Sequence, residues 1–171
     1  DDTSTRVDGQ NGYCHIVCNS LYTAYFTTAA KDRLSIIDVL TNHRPRRFLV
    51  NTEALGYVEV SGLSAIRCRQ LAQVAGEVSM EEAQIQALLE THLPGLGPQQ
   101  RKWILDATAV AAYHADMEFP VVRLLVCDDA PQFTLLTEAL ALCWVHEGRH
   151  YKKLLPSIPY HQRLLEAFVQ R

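Results

Sequence analysis

The order of apolar and polar positions divides the chain into a β-rich start, a helical middle and a mixed end. Residues 3–7 form a short run, and Tyr13 to Cys18 reads as a strand, with Asp8-Gly9 and Asn11-Gly12 as turn dipeptides between them. Asn19-Ser20 supplies a second turn. Leu21 to Thr28 then alternates and is rich in Thr, Tyr and Phe, as a pleated surface favours, so the first thirty residues predict a β-meander. Lys31 to Leu40 changes to helical spacing through Leu34 and Ile37.

Residues 51–116 carry helical periodicity throughout and predict about four helices. Ser79-Met80-Glu81-Glu82 reads as a capping box, followed by one apolar face of Ile85, Leu88 and Leu89. Pro94 to Pro98 breaks the chain, and Trp103, Ala107, Val110, Ala111 and His114 then recur on one helix face. After Pro120, Val121 to Cys127 is apolar except for Arg123, which predicts a strand buried on both faces in a parallel part of a sheet. Ala139 to Val145 predicts another strand. Two helices close the chain, at 146–154 and 160–169, the second with Leu164, Leu165, Phe168 and Val169 facing inward.

Composition narrows the class without naming a function. The 171 residues are enough for one domain with a core, and 48% hydrophobic with 20% charged content is ordinary for a globular chain. No run approaches the length of a membrane span, and the polar, acidic start is unlike a signal peptide. With no initiator Met, the expectation is a processed product or an excised segment. Five cysteines, several in apolar runs, suit a reducing cytoplasm. A net charge of −3 gives no global pull on nucleic acid, so any such contact falls to local clusters.

The chemistry concentrates in two acidic pairs, Asp1-Asp2 before the first strand and Asp128-Asp129 after the apolar one. Carboxylates at the C-terminal end of a strand face the rim where open α/β sheets bind ligands. On neighbouring strands they would lie about 5 Å apart, close enough to share Mg2+. The structural alternative is a frayed terminus and a cap before Pro131. His146 and His150 stand one helical turn apart and could meet phosphate or metal, or serve as structural histidines. A zinc site at Cys143 and His146 would need Cys14 and Cys18, about 13 Å apart along an extended strand. A phosphatase-type aspartate motif needs Asp where Thr3 stands. Arg44-Pro45-Arg46-Arg47 and Arg149-His150-Tyr151-Lys152-Lys153 are basic clusters, either phosphate-binding or solvated surface.

Three blocks together carry a resemblance: Asp1-Asp2-Thr3 ahead of the meander, the stretch from Val122 through Cys127-Asp128-Asp129-Ala130-Pro131 to Phe133, and the stretch from Ala141 through Cys143-Trp144-Val145-His146-Glu147 to Leu154. The chain resembles bacterial insertion-sequence transposases of the DDE class over nearly its whole length. The resemblance implies a ribonuclease-H-like mixed α/β sheet, an antiparallel meander joined to parallel strands, with an all-helical insert. Core segments would be 1–50 and 119–171, with the insert at 51–118. It further implies Asp1 and Asp128 as catalytic residues and ligands of Mg2+ or Mn2+, with Asp2 and Asp129 as alternates one position on. Arg46, Arg47, Arg149, Lys152 and Lys153 would contact DNA at transposon ends. The family's third acidic residue comes after a further segment; Glu147 is the nearby candidate for a third metal ligand, though it occupies a different place. The expectation is therefore a bacterial cytoplasmic fragment with an unfinished site, inactive alone. Two other readings stand beside it: an interaction module that dimerises through its helices, and a receiver-like phosphoacceptor domain, which the opening meander argues against.

Overall fold

A computed structural model describes residues 2–118 and 120–170, apart from the side chains of Asp2 and Val7. Three antiparallel strands open it, β1 (Asp2–Val7), β2 (Gln10–Cys18) and β3 (Thr23–Thr28), in that spatial order. The β1–β2 turn is Asp8-Gly9 alone, both with positive φ (51° and 79°), as a two-residue hairpin of the right twist requires. Asn11 and Gly12, expected in a turn, instead pair with Arg6 and Thr5 inside the ladder. The second turn is where it was expected: the Asn19 side chain accepts the N–H groups of Leu21 and Tyr22.

Helix α1 (Arg33–Leu40) starts at Asp32, whose carboxylate accepts the Ser35 N–H at 2.9 Å. Burial is the largest influence and would raise that carboxyl's pKa, but the bonds from Ser35 together with the charges of Lys102 and Arg46 leave it lowered. Residues 51–116 form four helices as the periodicity predicts: α2 (Thr52–Val60), α3 (Ala65–Ala72), α4 (Glu82–His92) and α5 (Pro98–Ala115). The capping box on α4 lies two residues later than Ser79, at Glu81 with Gln84. Met80 exchanges backbone hydrogen bonds with Phe48, which keeps the chain extended to that point. Helix α5 is buried almost all round from Ile104 to Tyr113 and is the axis of the core. That core joins Ile36 and Ile37 of α1 to Val58, Leu71, Ile85, Leu89 and Val110, and onward to Phe133 and Leu136. It therefore runs continuously across the expected boundaries at 50 and 118.

Beyond residue 120 the expected strands are shorter and more open. Strand β4 (Leu124–Cys127) pairs in parallel with β5 (Ala139–Leu142), through a connection holding one 3-10 turn at Pro131–Phe133. The fold is mixed α/β, with the parallel pair forming a sheet separate from the meander. β4 is not buried on both faces: Leu124 and Val126 are 58% and 60% exposed, because the helical body covers only the side bearing Leu125 and Cys127. The strand predicted to reach Val145 stops at Leu142. Cys143 takes the N-cap position of α6 (Trp144–Lys152), so the chain is helical where an extended Cys-Trp-x-His run was expected. Helix α7 (Pro159–Val169) follows and buries no residue fully. Its apolar face was expected inward, yet Leu164, Phe168 and Val169 remain 40–52% exposed. No described helix is long and apolar enough to cross a membrane.

Candidate functional site

Parallel pairing puts the C-terminal ends of β4 and β5 side by side, and the Cys143 N–H donates to the Cys127 carbonyl at 2.6 Å. Asp128-Asp129 and the start of α6 consequently meet at one rim, the place where open α/β sheets present ligand-binding groups. The cleft there has a volume of about 430 Å³ and is lined by Asp128, Asp129, Glu147, His146, His150, Arg149 and Lys153, together with Cys143 and Leu142. Seven positions singled out in the sequence are thus brought together, along with Cys143. Helix α6 achieves this by spacing alone, since His146, Arg149, His150 and Lys153 stand three or four residues apart on one face. Asp128 is half-buried and turns back to accept the Ala130 N–H at 3.2 Å, which fixes its carboxylate before Pro131.

The thiol of Cys143 sits at the positive end of α6. No side-chain capping bond closes there, but the His146 side chain and the backbone N–H groups of His146 and Val145 pull its pKa down to about 7. Cys127, one step back on β4, is buried and its thiol is raised, by burial first and then by the charge of Asp128. The Nδ1 of His146 is buried with no hydrogen-bond partner, an unmet polar atom in the wall of the cleft. All five cysteines are free thiols.

Several expected groups lie elsewhere. Asp1 is outside the described residues, as is the side chain of Asp2. Lys152 is exposed on α6 and does not line the cleft. Arg46 is held by Asp38 in a two-pronged ion pair of 2.7 and 2.6 Å, and Arg47 by the Ser79 carbonyl at 2.7 Å and Glu81 at 3.4 Å. Both belong to another hollow, of about 640 Å³, in which Glu77, Glu81, Asp116 and Glu118 offset the arginines. Among the described residues no three His, Cys, Asp or Glu side chains converge closely enough to hold a metal ion. Asp128, Asp129 and Glu147 are hard oxygen donors of the kind Mg2+ takes, but by themselves they do not complete its site.

Sequence reading missed the supports of this rim. Arg33 reaches across from α1 to the Pro131 carbonyl, the Thr134 carbonyl and the Thr134 hydroxyl at 2.8–3.2 Å, while pairing with Asp106 of α5 at 3.3 Å. Asp106 also receives Lys102 at 2.6 Å and is only 5% exposed. A charged residue inside an apolar helical stretch, with Lys102 four positions before it, was the available signal. His114 and Glu53 form a second support at 2.6 Å.

Among curated proteins the chain is similar to one described as uncharacterized protein y4jO, from Sinorhizobium fredii (strain NBRC 101917 / NGR234), at 26% identity over 180 residues. The match covers 98% of this chain and 51% of the relative, so the chain spans about half the length of the curated protein it matches. No family model and no solved structure matches it.

Proposed function

We propose that the cleft at Asp128 is part of a metal-dependent site for DNA strand cleavage and transfer, of the DDE-transposase kind, to which the described residues contribute an incomplete set of groups. The observation that carries this reading is the meeting of Asp128, Asp129 and Glu147 with Arg149 and Lys153 in one cleft at the carboxyl ends of a parallel strand pair. Cations three and four residues apart on a helix suit successive phosphate oxygens, and carboxylates beside them suit the ion that such chemistry employs. Asp128 and Asp1 would hold Mg2+ or Mn2+, which when bound offsets the charge gathering on a phosphate under attack. The ribonuclease-H-like sheet belongs to the same proposal. Among the described residues β1 pairs with β2 alone and β4 with β5 alone, so each has one edge without a strand partner. Joining them gives the five-stranded order β3-β2-β1-β4-β5.

The test has two arms on the chain as given. Calorimetric titration is expected to show weak Mn2+ binding that is lost in Asp128→Asn. Binding to duplex DNA, followed by anisotropy, is expected to be sequence-tolerant and to weaken steeply with salt. The triple change Arg149→Ala, Lys152→Ala, Lys153→Ala is expected to lower the slope of log K against log salt by about 2–3. Arg46→Ala is expected to leave that slope alone, since Arg46 is spent on Asp38. Equal Mn2+ binding by both proteins together with an unchanged slope in the triple variant sinks the proposal.

A further inference from the structure

Where the helical body meets the connection between β4 and β5 (residues 128–138), a charged network is buried that is poorly built for stability. Asp106 of α5 is only 5% exposed, and Arg33 and Lys102 both converge on its Oδ2, at 3.3 and 2.6 Å. Its Oδ1 is buried and has no hydrogen-bond partner among the described residues. A buried carboxylate with one oxygen unmet carries a desolvation cost that its ion pairs do not fully return, so apolar side chains would serve the fold as well or better. Nor is the network needed to hold the connection down. Phe133 and Leu136 already sit in the core, the second fully buried.

What Arg33 adds is direction. Its backbone is fixed as the first residue of α1, after the Asp32 cap, and its guanidinium is pinned through Nη1 by Asp106. Three further N–H groups go to the connection. Nη2 donates to the Pro131 carbonyl and the Thr134 hydroxyl, both at 2.8 Å, and Nε donates to the Thr134 carbonyl at 3.2 Å. The same residues close the 3-10 turn: the Phe133 N–H donates to the Ala130 carbonyl at 3.1 Å and the Thr134 hydroxyl to the Pro131 carbonyl at 2.8 Å. Ala130 in turn donates its N–H to Asp128 Oδ1 at 3.2 Å. A continuous path of bonds thus runs from the buried end of Asp106 to the carboxylate of Asp128. A guanidinium spreads its five N–H groups over a rigid plane, whereas an ammonium offers three from one point, so Lys does not span these acceptors.

We propose that Arg33, pinned by Asp106, is a positioning residue that aims the Asp128 carboxylate at the cleft it lines. The network gives up stability for direction: Phe133 and Leu136 dock the connection, and Arg33 sets its first turn. A fixed carboxylate binds a cation better than one that must be ordered first. That last consequence rests on reading the cleft as a metal site; the aim of the carboxylate does not.

Nuclear magnetic resonance of the full chain reads the aim without metal, through amides that donate along this path. Arg33→Met combined with Asp106→Leu removes the two charges together, so its urea midpoint is expected to stay at or above the parent's. Amide exchange of Ala130 and Phe133 at fixed pH is nevertheless expected to quicken about five- to tenfold, the weight of one hydrogen bond. The Ala130 amide shift is expected to move with it. Arg33→Lys, which keeps a charge beside Asp106 and loses the fork, is expected to act alike at both amides. Arg123→Ala cuts an exposed ion pair with Glu138 at the far end of the connection and is expected to leave them alone. Calorimetry then reads the consequence, a fall in Mn2+ affinity on the order of tenfold in the double variant. Parent-like exchange and shift at Ala130 in the double variant overturn the proposal, as does Mn2+ affinity equal to that of a parent that binds. So does a lowered urea midpoint with protection lost evenly through α2 to α5, which is what a plain stability tie produces. Quickened exchange at Ala130 and Phe133 in a chain whose parent binds no Mn2+ upholds the aim and sinks the metal reading of the cleft instead.

Discussion

At the scale of single residues, the sharpest contrast in the molecule is between two thiols at the end of neighbouring strands. Cys143 is drawn down to about 7 by His146 and the first N–H groups of α6, whereas Cys127 is raised by burial and then by Asp128. A thiol at 7 is more than half ionised at pH 7.5, and the thiolate is the nucleophile. Iodoacetamide at pH 7.5 is expected to label Cys143 well before Cys127. The rate at Cys143 should pass half-maximum near pH 7 and move upward in His146→Ala. Peptide mapping of the label against pH checks this, and a half-maximum at or above pH 9 in both proteins would refute it. Cys143, His146, Asp128 and Glu147 could be singled out from sequence because they are near neighbours along two short stretches. The partners of Arg46 and Arg33 could not. Asp38 reaches Arg46 only because Asn42 and His43 turn the chain with positive φ, and Thr134 meets Arg33 across a hundred residues.

At the scale of elements, α2 shows how local chemistry sets boundaries. Asn51 caps its start by accepting the Ala54 N–H at 2.9 Å. Its end is a Schellman turn: Leu63 N–H donates to the Val58 carbonyl, Gly62 N–H to that of Glu59, and Leu63 packs with Val58 in the core. Gly62 carries a φ of +94°, where a side chain is strained, although a Cβ there would meet only Trp103 at an ordinary 3.9 Å. Gly56 sits inside the same helix with open space about it. The same substitution therefore has opposite signs at the two sites. Gly62→Ala is expected to destabilise by about 1–2 kcal/mol, and Gly56→Ala to stabilise by up to about 1 kcal/mol. Urea midpoints with unchanged slopes measure both, and a Gly62→Ala protein as stable as the parent would exclude the strain argument. Helices of this kind were legible from periodicity. Boundaries set by distant pairing were not: the Phe48–Met80 bridge delays α4, and the switch to helix at Cys143 shortens β5.

At the scale of the whole molecule, burial is concentrated where the sequence is helical and drains away at both ends. The apolar cluster draws on residues between Ile36 and Leu136, while among the described side chains of the meander His15 alone is buried. Hydrophobic periodicity reports that an apolar face exists and is silent about what covers it. For that reason α5 was legible as a helix but not as one buried almost all round, and β4 and α7 were expected to be buried and are not. Helices α6 and α7 hold together mainly through Phe168, whose ring meets Trp144 at 5.9 Å and Tyr151 at 4.7 Å between centroids. Leu154 and Leu155 between them are 54% and 95% exposed. Segments with so little buried surface open at low cost, and proteases cut what opens. Limited digestion with chymotrypsin is expected to cut first between residues 144 and 170, and at Leu21-Tyr22 in the exposed turn, while 52–115 stays intact. Phe168→Ala is expected to speed the C-terminal cuts and to leave the urea midpoint of the helical body within about 0.5 kcal/mol of the parent. First cuts within α2 to α5 would mean that stability is not distributed as burial is. If burial does govern stability, the wall of the cleft formed by α6 is its yielding side. A phosphate-bearing ligand that bridges Arg149 and Lys153 to the Asp128 rim is then expected to slow the cuts in 144–152 without changing those at Leu21-Tyr22.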